Sequence, residues 1–223
     1  GITRAEVVPE ELVRKATDEI LVEIKAHRDA YASDYAKLYK MADEKVLPHF
    51  DFRRMSQWVL WRFWREATPE QRDRFTSEFR DLLVGTYSQA LLNYNDQKIV
   101  YLPVQRKPDD TEVTVKTEVK QTGGQPNIPI HYSFYKNKDG AWKVYDITIE
   151  GVSLVTNYRS VYATKIREKG MDALIAAFPD PALLLDRTGA VIAANAHARD
   201  IFDADPRGRH ISASIRAPAV LEA

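Results

Sequence analysis

The chain has no cysteine. That excludes disulfides, thiolate metal sites and a cysteine nucleophile, and it leaves the redox compartment open. It has no net charge either, because 32 Lys and Arg balance 32 Asp and Glu. The global basic excess of most nucleic-acid binders is therefore missing, and no nucleic-acid partner is expected. No apolar run approaches the ~18 residues that a membrane-spanning helix needs. No basic and apolar leader stands at Gly1, as expected of a mature exported chain whose signal peptide is gone. Gly-rich phosphate loops before a helix are absent, and Gly123-Gly124 falls between strands, where it reads as a turn. His27, His49, His131, His197 and His210 include no pair at a helical or hairpin ligand spacing, so a zinc site would need carboxylates gathered by the fold. Gly151-Val152-Ser153 lacks the second Gly of a nucleophile elbow, and Ser153 reads better as a helix cap.

Other absences are regional. No Lys follows Lys169, no Trp follows Trp142 and no Tyr follows Tyr162. From Phe178 onward the basic residues are Arg alone, and Ala supplies 11 of the last 46 positions. A shift of this kind marks a boundary near Ala177-Phe178-Pro179-Asp180-Pro181, dividing the chain into 1–177 and 178–223.

What remains is ordinary globular material, 44% apolar and 29% charged over 223 residues, enough for one good core or slightly more. Pro9-Glu10-Glu11 opens a helix with Pro at N1 and acids in the first turn, and Leu12, Ala16, Ile20 and Ile24 mark its inner side. A second helix is expected from about 34 to 47, ended by Pro48. Thr68-Pro69-Glu70-Gln71 is a capping-box start. The helix beyond it is expected to run to about 93, with Phe75, Phe79, Leu82, Tyr87, Ala90, Leu91 and Tyr94 on one face. The period then changes from 3.6 to two. Strands are expected at 97–102, 112–120, about 128–134 and 142–149, joined by short turns at Gly123-Gly124 and Asp139-Gly140. On the last strand Trp142 and Val144 point one way and Tyr145, Ile147 and Ile149 the other. A helix capped by Ser153 follows. The fold class is α+β: helices packed on one face of a curved, antiparallel, four-stranded sheet.

No catalytic constellation stands out. Asp146 and Glu150 lie on one strand face, where they could do acid–base work or simply face solvent or pair with Arg. His131 and Tyr135 are in the same position. Trp58, Trp61 and Trp64 are three apart, so one helix face carries all three; the reading is core, with an interface left open by Arg62 and Arg65 beside them. The apolar and aromatic residues exceed what a thin two-layer domain needs, and an apolar cavity between sheet and helices would account for them.

Several motifs carry a resemblance. Leu47-Pro48-His49-Phe50-Asp51-Phe52, Ala67-Thr68-Pro69-Glu70-Gln71-Arg72 with Phe75 and Phe79-Arg80, Tyr87-Ser88-Gln89-Ala90-Leu91, Trp142-Lys143-Val144-Tyr145-Asp146-Ile147, Glu150-Gly151-Val152-Ser153 and Arg167-Glu168-Lys169-Gly170-Met171-Asp172-Ala173-Leu174 together resemble the MlaC, or toluene-tolerance auxiliary, family. The likeness runs in unbroken order over about residues 5–177. It implies a cone-like, NTF2/cystatin-like domain and a soluble periplasmic carrier that holds phospholipid acyl chains as cargo, with no catalysis and no cofactor. It implies shuttling between an outer-membrane lipoprotein/porin complex and an inner-membrane ABC transporter with its substrate-binding subunit, which maintains outer-membrane lipid asymmetry. A monomer is expected.

Given a lipid cavity, helix faces and strand parity nominate its wall. Leu83, Tyr87 and Leu91 come from the long helix. Ile99, Val115, Ile130, Tyr132, Phe134, Val144, Tyr145, Ile147 and Ile149 come from the sheet. Val152 and Leu154 stand at the mouth, where sheet turns into helix. An acidic or bulky residue at Ile147 or Val152 is expected to abolish lipid binding.

The tail resembles something else. Phe178-Pro179-Asp180-Pro181-Ala182-Leu183-Leu184-Leu185-Asp186, Gly189, Val191, Ala194-Asn195, Ala198 and Ile201-Phe202 are similar to the first third of a PAS sensory domain of bacterial sensor kinases. Short strands are expected near 182–186 and 190–194, with a helix capped by Asn195 and loops around Arg207-Gly208-Arg209 and Pro218. A fragment of this length should form no ligand pocket of its own and reads as a fusion or extension. Two rival readings of the whole chain stay open here. One is an isomerase or dehydratase on the same cone, with Asp146, Tyr145 and His131 as its candidates. The other is a sensory module feeding the PAS-like segment.

Overall fold

The computed structural model describes residues 7–94, 96–178, 183–185 and 191–194. Helix α1 (Pro9–Ser33) starts with Pro at its first turn and kinks at His27 (φ −127°, ψ 20°). Helix α2 (Tyr35–Lys45) is capped by the Asp34 carboxylate, which accepts from the Ala36 N–H. A 3-10 turn at Leu47–His49 then leads into α3 (Phe52–Leu60), where the Asp51 carboxylate accepts from the Arg54 N–H. Helix α5 (Pro69–Tyr87) begins with the expected capping box: the Thr68 side chain accepts from the Gln71 N–H while the Gln71 side chain accepts from the Thr68 N–H.

Two helical expectations need correction. The Trp series does not share one helix face. The chain breaks at Trp61 (φ 49°, ψ −114°), separating α3 from the short α4 (Arg62–Glu66). Few residues other than Gly adopt that conformation, and nothing in residue spacing announces it at a Trp. The long helix also stops early. It passes at Tyr87 into a 3-10 segment, Ser88–Asn93, that turns Ala90 and Leu91 along a different path.

The sheet has five strands in the order β1-β2-β3-β4-β5, all antiparallel, rather than four. They are β1 (Ile99–Tyr101), β2 (Glu112–Val119), β3 (Ile128–Lys136), β4 (Trp142–Ile149) and β5 (Val152–Ser153). The fifth was missed because two residues carry no period. It exists because Glu150 (φ 50°) and Gly151 (φ 82°) form a two-residue hairpin loop with both φ positive. Strand β2 alternates as expected, with Val113, Val115 and Thr117 buried and Glu112, Thr114 and Lys116 exposed.

The β3–β4 pairing carries a bulge. Ser133 pairs with Asp146 but Phe134 pairs with Val144, so Tyr145 is the extra residue. This breaks the parity expected of β4 at Tyr145. Val144 lies on one side of the bulge and Ile147 and Ile149 on the other, yet all three face inward, and Tyr145 is turned out of their row.

Helix α6 (Leu154–Lys169) is capped by Ser153, whose hydroxyl accepts from the Thr156 N–H, as the sequence indicates. Helix α7 (Met171–Ala176) follows Gly170, which stands at φ 87°. Helices α3, α5, α6 and α7 share one buried cluster around Phe75, Phe79, Tyr158 and Leu174. Helix α1 closes a second cluster through Val13, against Val113, Val115, Phe134, Trp142 and Val144. A third joins α1 and α2 through Ile24 and Leu38, both fully buried. In the tail, β6 (Leu183–Leu185) and β7 (Val191–Ala194) pair antiparallel, where the sequence places two strands. The helix expected after Asn195 and the loops beyond it lie outside the described residues.

Candidate functional site

Between the sheet and the helices lies a cavity of about 660 Å³. One side is the inner face of the sheet: Ile99 of β1, Thr117 and Val119 of β2, Ile130, Tyr132 and Phe134 of β3, and Val144, Ile147 and Ile149 of β4. The other side is helical. Leu12, Ala16, Ile20 and Leu21 come from α1, Met55 from α3, Leu83 and Tyr87 from α5, and Leu91 from the 3-10 segment. Leu154 at the start of α6 adds to it.

The cavity runs along the strands. At one end Phe134 and Val144 are part of the buried cluster with Val113 and Trp142. At the other, Ile99, Ile128 and Ile149 are only partly covered, and the exposed Asn93 and Gln121 stand beside Gln97. The register brings these residues together, since Ile99 and Ile128 both pair with Val119. The lining is least covered at that end, which carries the amide side chains of Asn93, Gln97 and Gln121. Helix α1 is tied to it by Arg28, whose guanidinium donates to the Leu92 carbonyl (3.0 Å) and to the Tyr94 carbonyl, and by the Lys25–Asp96 pair (3.1 Å).

No Asp, Glu, Lys or Arg lines the cavity among the described residues. Several of its polar groups are satisfied locally or kept uncharged. The Thr117 hydroxyl donates to the Ile130 carbonyl (2.8 Å) and the Ser88 hydroxyl to the Val84 carbonyl (2.6 Å). Burial raises the Tyr132 phenol to about 12. Tyr87 is raised as well, by burial first and by the neighbouring Tyr158 second. His49 is lowered, by burial first and by the Lys143 ammonium second, so its imidazole is kept uncharged. Such a lining receives apolar chains and offers no fixed charge to a reacting group. Among the described residues no three His, Cys, Asp or Glu side chains are gathered to hold a metal ion, and no helix is long and apolar enough to cross a membrane.

The nominated residues divide clearly. Leu83, Tyr87, Leu91, Ile99, Ile130, Tyr132, Phe134, Val144, Ile147, Ile149 and Leu154 stand on the cavity wall. Val115, Tyr145 and Val152 do not. Val115 faces the same way but is packed in the cluster with Val13 and Phe134, leaving it 1% exposed. Tyr145 is the bulge residue, and its ring stacks on Trp58 and meets Tyr135 edge-on. Val152 pairs with Ile149 on the sheet-edge strand and is 45% exposed.

The spacing of Leu12, Ala16 and Ile20 marks the inner side of α1, but nothing in it shows that this side, with Leu21, roofs the cavity. The acid–base candidates are not gathered in the cavity. The Asp146 carboxylate accepts from the Ser153 hydroxyl and the Val155 N–H, which makes it an anchor for the start of α6. His131 pairs with Lys116 and Thr148, in the row alternating with the inward Ile130 and Tyr132.

Comparison with known proteins follows the same line. The family model described as "MlaC protein" matches residues 14–179. The "Intermembrane phospholipid transport system binding protein MlaC" of Haemophilus influenzae is 28% identical over 172 residues, covering 77% of this chain and 80% of that one. The "Toluene tolerance protein ttg2D" of Pseudomonas putida is 30% identical over 173 residues, covering 77% and 79%. A solved structure of a phospholipid-binding protein from Ralstonia solanacearum, in complex with a phospholipid, matches with a TM-score of 0.70 and 34% identity, over 76% of this chain and 93% of that one.

Proposed function

The chain belongs to the MlaC family, and from that premise we propose that it is a periplasmic phospholipid carrier. It holds acyl chains in the cavity between α1 and the sheet. It passes its cargo between an outer-membrane lipoprotein/porin complex and an inner-membrane ABC transporter with its substrate-binding subunit, and so maintains outer-membrane lipid asymmetry. The observation that carries this reading is the cavity itself: about 660 Å³, walled by Leu, Ile, Val and aromatic side chains and free of charged ones among the described residues. The expected cone shape belongs with it, as a half-open container for chains whose headgroup stays at the amide rim of Asn93 and Gln121.

The energetics favour a carrier that works by contact. Each methylene removed from water is worth about 0.8 kcal/mol, so two acyl chains represent on the order of 20 kcal/mol before ordering costs. Release into water would be correspondingly slow, and cargo must pass directly to a protein or membrane that receives it. The 178–223 segment is given no part in holding cargo. Organic extraction of the purified chain followed by mass spectrometry tests the reading. Phospholipid at near one per chain is expected, and a chain that is empty as purified and takes up no phospholipid from vesicles overturns it.

A further inference from the structure

One surface feature lies outside the cavity lining. Trp61 stands at φ 49°, ψ −114°, a backbone conformation that bulky residues rarely hold. Its side chain gains little burial in return, being 60% exposed. Trp58, one turn earlier, is 42% exposed. The Arg159 guanidinium of α6 lies over both rings, 5.9 Å from the Trp58 ring centre and 5.8 Å from that of Trp61, while its Nε donates to the Trp58 carbonyl at 2.8 Å. The two indoles are thus held in place, outward. Arg62 and Arg65 on α4 are exposed. Among the described residues neither they nor Arg159 has an ion-pair partner, whereas Arg53 is paired with Asp73 and Arg54 with Glu112. In a chain of zero net charge, residues 52–66 hold four Arg and one acid, Glu66.

We propose that Trp58, Trp61 and Arg159, with Arg62 and Arg65 beside them, form a docking patch for the surface of an anionic phospholipid bilayer. Indole rings suit the boundary between headgroup and acyl chain, with an apolar body and an N–H that reaches polar groups. Unpaired guanidiniums suit lipid phosphates, which they can engage through two donors at once. A protruding indole enters a deformable layer readily, whereas a protein partner would need a pocket shaped to it. Helix α3 joins the two functions, since Met55 touches the cavity and Trp58 stands at the surface.

The full chain is mixed with vesicles of phosphatidylglycerol and phosphatidylethanolamine, or of phosphatidylcholine alone, and followed by flotation and tryptophan emission. Binding to the anionic vesicles with a blue shift is expected, weakened by salt because headgroup attraction is screened. Trp61→Gly removes the indole while accepting the backbone, and it should lower that affinity by about tenfold or more with fold retained; Arg62→Gln with Arg65→Gln should act likewise. Extraction of the same samples reads cargo independently. An empty chain that still binds vesicles would count against the carrier reading and leave the patch standing. A full chain that ignores anionic vesicles, or a Trp61→Gly variant that binds them as tightly, overturns the proposal; the first result assigns the patch to a protein partner instead.

Discussion

His49 shows how a single cavity residue couples pH to the fold. Burial and Lys143 lower its pKa, so the folded chain holds it neutral while the unfolded chain takes up a proton near about 6.5. The unfolded state therefore binds more protons once pH falls below about 6.5, and stability drops there; above it the contribution is fully present. Thermal melts should show a smaller loss for His49→Gln than for the parent chain between pH of about 7 and about 5, and equal losses would contradict the assignment. Trp61 makes the opposite case, of a residue that costs stability. Trp61→Gly should raise the unfolding free energy by about 1 kcal/mol, because relief of roughly 1–3 kcal/mol of backbone strain exceeds the loss of a 60% exposed ring and its Arg159 contact. Urea denaturation reads it, and destabilisation would show that the indole packs more than its exposure indicates.

At the scale of elements, local chemistry was legible where it is written in neighbouring residues. The Thr68-Pro69-Glu70-Gln71 capping box, the Ser153 cap and the β2 alternation all stand as the sequence indicates. Thr68→Ala should cost about 1 kcal/mol, read as a lower urea midpoint with unchanged slope. Misreadings came where a long-range contact overrides local period. The Tyr145 bulge depends on β3 pairing, and it moved Val144 into the same row as Ile147. The 3-10 segment that follows α5 ends against α1, whose Arg28 donates to the carbonyls of Leu92 and Tyr94. The fifth strand consists of two residues stapled by a hairpin.

At the scale of the whole molecule, the cavity separates two residues that once looked alike. Ile147 is on the wall and Val152 is outside it. Ile147→Glu should abolish phospholipid co-purification, since a carboxylate on an apolar wall must be desolvated without a partner. Val152→Glu, at an exposed edge, should leave the lipid load unchanged. Extraction and mass spectrometry of both variants check this, and a full load in Ile147→Glu would remove the cavity as the lipid site.

The sequence by itself determined the class of the fold, the position of most elements and the family, because caps, alternation and short motifs are local in the chain. It also pointed to an apolar interior without a catalytic set. Only the tertiary structure decided which apolar residues border empty space and which are packed solid. Val115 and Ile130 have the same inward parity, but one is sealed beneath Val13 and Phe134 and the other faces the cavity. A cavity is volume left between elements. Its boundary depends on where α1 lies over the sheet and on a bulge set by strand pairing, and neither is encoded in the spacing of residues along one segment.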